Sequence, residues 1–186
     1  MDLPGVLPPS LAKLSHLKSI GLSRNYLNGT IPHEWASMDL EYIHVAENRL
    51  SGLLPEYLGN ITSLRNMSIE DNLFHGTIPA SFGKLVNLVE LVLNSNNLTG
   101  ELPKDFNNLI NLKELRMSRN NFMGKLPDFS SLKSLEQLEL EATGFEGPIP
   151  SSISLLTNLT DLRISNLNGV EIGFPSLENM AAMESL

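Results

Sequence analysis

A cassette of the form LxxLxLxxNxLxGxIP returns about every 24 residues along this 186-residue chain, and that period constrains the fold more than any single residue does. A unit this short cannot bury an apolar face alone. Consecutive units must therefore stack and share one interior, which predicts a solenoid. Leu17, Ile20, Leu22, Asn25, Leu27, Gly29, Ile31 and Pro32 make the first full cassette, repeated as Leu40, Ile43, Val45, Asn48, Leu50, Gly52, Leu54 and Pro55. Further cassettes open at Leu64, Leu88, Leu112 and Leu135, and a seventh opens at Leu159 before it leaves the pattern. Gly5, Leu7 and Pro8 read as the tail of an earlier cassette, and Met183 and Leu186 as the head of a later one. The expectation is one repeat domain over residues 1–186, of about seven repeats and cut inside a repeat at both ends. Leu7, Leu11 and Leu14 at one edge and Met180, Met183 and Leu186 at the other are then expected to expose apolar surface meant for a neighbouring coil.

Each place in the cassette has a physical reason. Alternation such as Leu91, Leu93 points two side chains into the coil and their neighbours out, so stacked cassettes make a parallel sheet. The asparagine that follows turns inward, where its amide can bond free backbone groups of adjacent coils. This predicts a ladder of Asn25, Asn48, Asn72, Asn96 and Asn120, with Thr143 supplying only part of that bonding in the sixth cassette. Glycine before Ile-Pro permits a positive φ, and proline removes a donor where extended structure ends. Apolar residues three and six places on, as in Trp35 and Met38, Phe82 and Leu85, or Phe106 and Leu109, predict a 3₁₀ or irregular turn lining the outer wall, with Trp35 in the core. The expected architecture is an α/β-type repeat solenoid: a curved right-handed superhelix with one parallel concave β-sheet and a 3₁₀ or irregular convex side.

Composition narrows the function classes. A net charge of −8 without a basic cluster speaks against nucleic acid and against direct contact with an anionic membrane surface. No apolar run is long enough to span a bilayer, and the opening MDLPGVLPPS lacks the charged and apolar regions of a secretory signal. Asn-x-Ser/Thr sequons at Asn28, Asn60, Asn66, Asn97 and Asn158 fit a lumenal or extracellular history instead, while the absence of cysteine fits either compartment and encodes no disulfide cap.

The cassette with Gly-x-Ile-Pro resembles the plant-specific class of leucine-rich repeats found in receptor-like kinases. More narrowly, LSRNYLNGTIPHEW (22–35), LTNLTDLRISNLNG (156–169) and FPSLENM (174–180) resemble the receptor kinases that join such repeats to a malectin-like domain. That resemblance implies a repeat segment at the extracellular face of the plasma membrane. It also implies a malectin-like module, one membrane-spanning helix and a cytoplasmic Ser/Thr kinase, none of which these residues encode. The implied function is recognition of a peptide, a cell-wall fragment or a partner ectodomain in transmembrane signalling. The alternative is a stand-alone secreted repeat protein, either an inhibitor of wall-degrading enzymes or a receptor decoy.

Recognition in a solenoid falls to the outward positions of the strands, which form columns about 4.8 Å apart from coil to coil. Tyr42, His44, Glu70, Glu90, Arg116, Glu139 and Arg163 are the candidate contacts there. Arg116, Glu139 and Arg163 alternate in sign down one column, as Arg24 and Glu47 do in another, which predicts cross-strand pairs of about 0.5 kcal/mol each. Stacked Glu90 and Glu114 have the spacing of a glycosidase pair, but an open sheet offers no wall to exclude water or raise a pKa. His16, His33, His44 and His75 occupy unrelated places in their cassettes, so no metal, cofactor or catalytic site is expected. Asn66 lies at an outward strand position, where a glycan would obstruct a ligand crossing the sheet.

Overall fold

The computed structural model describes residues 2–169 and 173–186. Each coil begins with a short strand set by the Leu-x-Leu alternation. Seven of these pair in parallel in spatial and sequence order: Ser19–Gly21, Tyr42–His44, Asn66–Ser68, Glu90–Val92, Glu114–Arg116, Gln137–Glu141 and Asp161–Ser165. Their register aligns identical cassette places, for example Ile43 with Met67, Met67 with Leu91 and Leu115 with Leu138. The interior is one continuous apolar cluster running from Leu7 to Met180, with Trp35, Phe74, Phe82, Phe129 and Phe145 fully buried. Phe122 and Phe145 stack across adjacent coils with ring centroids 5.1 Å apart.

The leucine-rich cassette predicts one sheet, and the described residues form two. A second parallel sheet of six strands runs along the flank, through Pro4–Val6, Tyr26–Gly29, Arg49–Leu53, Leu73–Gly76, Asn97–Gly100 and Asn121–Phe122. These strands follow the asparagine turn, where the stretch N-x-L-x-G again alternates an inward apolar residue with outward neighbours. The convex side is made of 3₁₀ turns at His33–Ser37, Glu56–Asn60, Ala80–Lys84, Lys104–Asn108 and Ser151–Leu155, each entered from a proline in extended conformation.

Asparagine side chains tie the coils together. The Asn72 amide donates to the carbonyls of Val45 (3.0 Å), Ile69 (3.0 Å) and Glu70 (3.1 Å), and its Oδ1 accepts from the Leu50 N–H at 2.9 Å. Asn48, Asn96 and Asn120 repeat this pattern one coil at a time. Asn25 bonds its own turn and the Leu3 N–H. In the sixth cassette Thr143 reaches only the Leu140 carbonyl, at 3.5 Å, and the Phe122 N–H is taken up by the Thr143 backbone carbonyl instead.

The residue before each ladder position lies in the left-handed region: Arg24, Glu47, Asp71, Ser95, Arg119, Ala142 and Asn166 have φ between 50° and 60°. All seven carry a Cβ, and each pays roughly 1 kcal/mol of local strain for a chain reversal that the neighbouring coil's hydrogen bonds hold in place, such as Glu47 N–H to the Glu70 carbonyl at 2.9 Å. The sequence offers little compositional sign of this: Asp71 and Asn166 are residue types that visit such a backbone, but Arg24, Glu47, Ser95, Arg119 and Ala142 are not. Gly83 has a different duty. A Cβ there would sit 2.5 Å from both Cβ and the carbonyl oxygen of Asp105, so successive 3₁₀ turns touch backbone to backbone.

The edges differ from expectation in two places. Leu7 is 1% exposed and Met180 4% exposed. Leu7 lies under the next coil, whose Trp35 indole donates to the Pro8 carbonyl at 3.3 Å, and Met180 joins the shared apolar cluster. Leu14 and Leu186 are exposed, as are Leu3 and Val6.

Two substitutions test this frame. Asn72→Ala leaves buried backbone groups of two coils unpaired and lowers unfolding free energy by about 3 kcal/mol in chemical denaturation, against a smaller loss for Asn25→Ala. Gly83→Ala costs about 2 kcal/mol through overpacking against Asp105. Gly21→Ala, which meets open space at a negative φ, serves as the control and leaves the midpoint unchanged or slightly raised.

Candidate recognition surface

The concave strands present their outward side chains in rows fixed by the pairing. One row runs Gly21, His44, Ser68, Val92, Arg116, Glu139 and Arg163; beside it run Ser19, Tyr42, Asn66, Glu90, Glu114, Gln137 and Asp161. Glu70 follows the third strand, on the same face. All seven candidate contacts thus occupy one ribbon, and the structure divides them into two groups.

The first group is already engaged. Glu139 is only 8% exposed, with Arg116 and Arg163 on either side at 3.5 Å and the Asn94 amide donating at 3.3 Å. Arg116 also meets Glu114 at 2.8 Å and donates to Gln137 Oε1 at 3.1 Å, while Arg163 forms a two-point pair with Asp161. Glu90 accepts from the Asn66 amide at 2.7 Å. The alternating charges of the later coils are therefore a cross-strand network, centred on a buried carboxylate that its two guanidinium neighbours compensate. Outside the ribbon, Arg24 and Glu47 pair at 2.8 Å, and hydrogen bonding to Glu47 pushes the Arg24 pKa up.

The second group is free. Among the described residues, Tyr42, His44 and Glu70 make no side-chain hydrogen bond or ion pair, and Tyr42 is 38% exposed. Around them lie Ser19, Gly21, Ser23 and Ala46, side chains too small to wall off the strand backbone, and a Cβ at Gly21 would meet nothing within 4 Å. Partial burial holds the Glu70 pKa above the usual carboxylate range, helped by Asp71; Arg116 opposes that shift.

Glu114 departs from the expectation that an open sheet cannot raise a carboxylate pKa. Burial raises it despite Arg116, and Glu90 adds to the effect. Both carboxylates of that stacked pair are nevertheless spoken for, by Arg116 and Asn66. Among the described residues no group of three or more His, Cys, Asp or Glu could hold a metal ion, and no helix is long and apolar enough to cross a membrane.

The sequons fall on three different faces. Asn28 and Asn97 are exposed on the flank sheet, Asn60 and Asn158 are exposed on the outer side, and Asn66 is half-buried on the concave sheet. The flank sheet was invisible to cassette reasoning, so the first two had no assigned face. The outward alternation of Tyr26, Asn28 and of Asn97, Thr99 around buried Leu27 and Leu98 is the signal that could have found it.

Known proteins share both the repeats and the fold. A leucine rich repeat family model matches residues 62–122, and a second matches residues 16–38 and 39–61. A probable LRR receptor-like serine/threonine-protein kinase of Arabidopsis thaliana is 50% identical over 64 residues, 34% of this chain and 6% of that protein. The matched segment thus spans less than a tenth of the length of that curated relative. The crystal structure of PEPR1-AtPEP1 superposes with a TM-score of 0.92 at 34% identity, covering 100% of this chain and 26% of that one. The Arabidopsis receptor kinase HAESA, solved in complex with the peptide hormone IDA and the co-receptor SERK1, superposes with a TM-score of 0.74 at 30% identity, over 89% of this chain and 32% of that one.

The raised Glu70 pKa has a sign that can be measured. An acid whose folded pKa lies above its unfolded one binds more protons in the native state between the two values, so its contribution is present below the unfolded pKa and lost as pH rises through the folded one. Glu70→Gln removes that loss. Thermal melts of the variant should show a higher midpoint than the parent at pH 7 and no difference near pH 3.

Proposed function

We propose that this chain, a leucine-rich-repeat solenoid homologous to plant LRR receptor-like kinases, is a ligand-recognition module at the extracellular face of such a receptor. Residues 1–186 act as one repeat domain and perform no chemistry themselves. The Ser/Thr kinase activity belongs to another part of the whole protein. The irregular seventh repeat (156–169) and the segment 174–180 support placing that protein among the receptors that carry a malectin-like domain as well.

The ligand class is a peptide, with a partner ectodomain as co-receptor, by likeness to the HAESA complex with the peptide hormone IDA and the co-receptor SERK1. One observation carries the location: Tyr42, His44 and Glu70 face solvent on the concave ribbon without partners among the described residues, whereas Arg116, Glu139 and Arg163 are consumed by their own network. A ligand at the first group gains hydrogen bonds without breaking any. At the second it must displace internal pairs first. Small, exposed neighbours at Ser19 and Gly21 leave room for a main chain to approach, and Tyr42 offers a stiff aromatic anchor.

Screening a synthetic peptide library against the chain, followed by calorimetry of the hits, tests this. Tyr42→Ala and His44→Ala each weaken the best hit by tenfold or more, while Arg163→Ala changes its affinity less than threefold. Hits that survive both of the first two substitutions, or no hit from the library, would remove the concave assignment.

A further inference from the structure

We infer that the chain carries N-linked glycans at Asn28, Asn60, Asn97 and Asn158 and none at Asn66, so that sugar covers the flank and outer faces and the concave ribbon stays bare. This rests on the extracellular reading above and adds to it a division of the surface.

Transfer of the glycan takes place on the unfolded chain, so the acceptor triplet decides how readily each site is used and the fold decides whether the result is tolerated. The five triplets separate by both criteria. Asn28-Gly-Thr30, Asn60-Ile-Thr62, Asn97-Leu-Thr99 and Asn158-Leu-Thr160 carry threonine, the more readily used acceptor, and all four asparagines are exposed. Asn158 donates to the Lys133 carbonyl at 2.8 Å, a bond that the one remaining N–H of a glycosylated amide can keep. Asn97 is an acceptor, its Oδ1 taking the Asn121 amide at 2.6 Å, and glycosylation leaves that oxygen free to accept.

Asn66-Met-Ser68 is the odd one. It carries serine, Ser68 is 6% exposed, and Asn66 is half-buried in a concave strand, where its amide lies against Glu90 at 2.7 Å. A bulky sugar on that nitrogen would have to grow out between Tyr42 and Glu90, its paired neighbours on either side in the same row. Folding of a chain modified there is penalised, and modification of a chain already folded there is blocked.

The two flank sites have a further effect. His75 pairs with Asn97 and with Leu53, and Asn28 pairs with Arg49, so the two asparagines bracket the flank strands that hold Leu53 and Leu73. Those leucines are 61% and 59% exposed; Tyr26, toward the start of the preceding flank strand, is 48% exposed and has the Arg49 guanidinium over its ring at 4.8 Å. Leu53 lies about 10 Å from Asn97, two strand spacings away, within the shadow of a glycan at that position. Sugars at Asn28 and Asn97 therefore mask the apolar part of the flank.

The test is to express the 186-residue chain behind a secretory leader in plant cells, release the glycans enzymatically in heavy-oxygen water, and read the mass label at each asparagine. Label at Asn28, Asn60, Asn97 and Asn158 in most molecules, with less than a tenth as much at Asn66, is the expected map. Comparable label at Asn66, or none at Asn28 and Asn97, overturns the inference. As a second measurement, the secreted Asn28→Gln/Asn97→Gln variant should bind an apolar fluorescent dye at least twofold more than an Asn60→Gln/Asn158→Gln variant, and equal binding would sink the masking argument. Neither readout involves a ligand. A correct map in a chain that captures no peptide therefore counts against the recognition reading alone, and a wrong map in a chain that does capture one counts against this inference alone.

Discussion

The structure depends on how the backbone polar groups at each strand-to-flank turn are satisfied. A chain that reverses direction inside an apolar column cannot leave its N–H and C=O groups to water, and one buried amide per coil answers for several of them. Asn72 binds groups belonging to its own coil and to the preceding one, so removing it would unpair both. The coil period follows from that bond as much as from the leucines. Apolar packing alone would tolerate sliding of one coil over another, whereas the amide fixes the register of each coil on the last.

Strain and close packing follow from the same arrangement. The residue before each asparagine adopts a left-handed backbone whatever its type, because the hydrogen bonds on either side determine the turn. On the convex side the 3₁₀ turns approach so closely that Gly83 has no room for a Cβ. These positions hold the curvature and pitch steady, and a steady frame is what lets a ribbon of outward side chains act as a preorganised surface.

The ribbon divides into paired and unpaired parts for an electrostatic reason. Toward the later coils, carboxylates and guanidinium groups lie close enough to neutralise one another, and a carboxylate as buried as Glu139 could not stay there otherwise. Toward the earlier coils the outward positions are small, aromatic or uncompensated, and the proposed ligand site lies there because binding would break no internal pair. Glycans on the flank and outer faces would leave the same region open.

The sequence by itself determined what repeats: the apolar places, the inward asparagines, the 3₁₀ turns implied by Trp35, Phe82 and Phe106, and the columns of Tyr42, His44, Glu90 and Arg116. Each follows from local periodicity, which a single chain displays in full. Only the tertiary structure decided the flank sheet, the burial of Leu7 and Met180, the left-handed column, and which charged side chains already have partners. Those depend on distances between residues more than twenty positions apart, and a period states that two residues are neighbours without stating how their polar atoms meet.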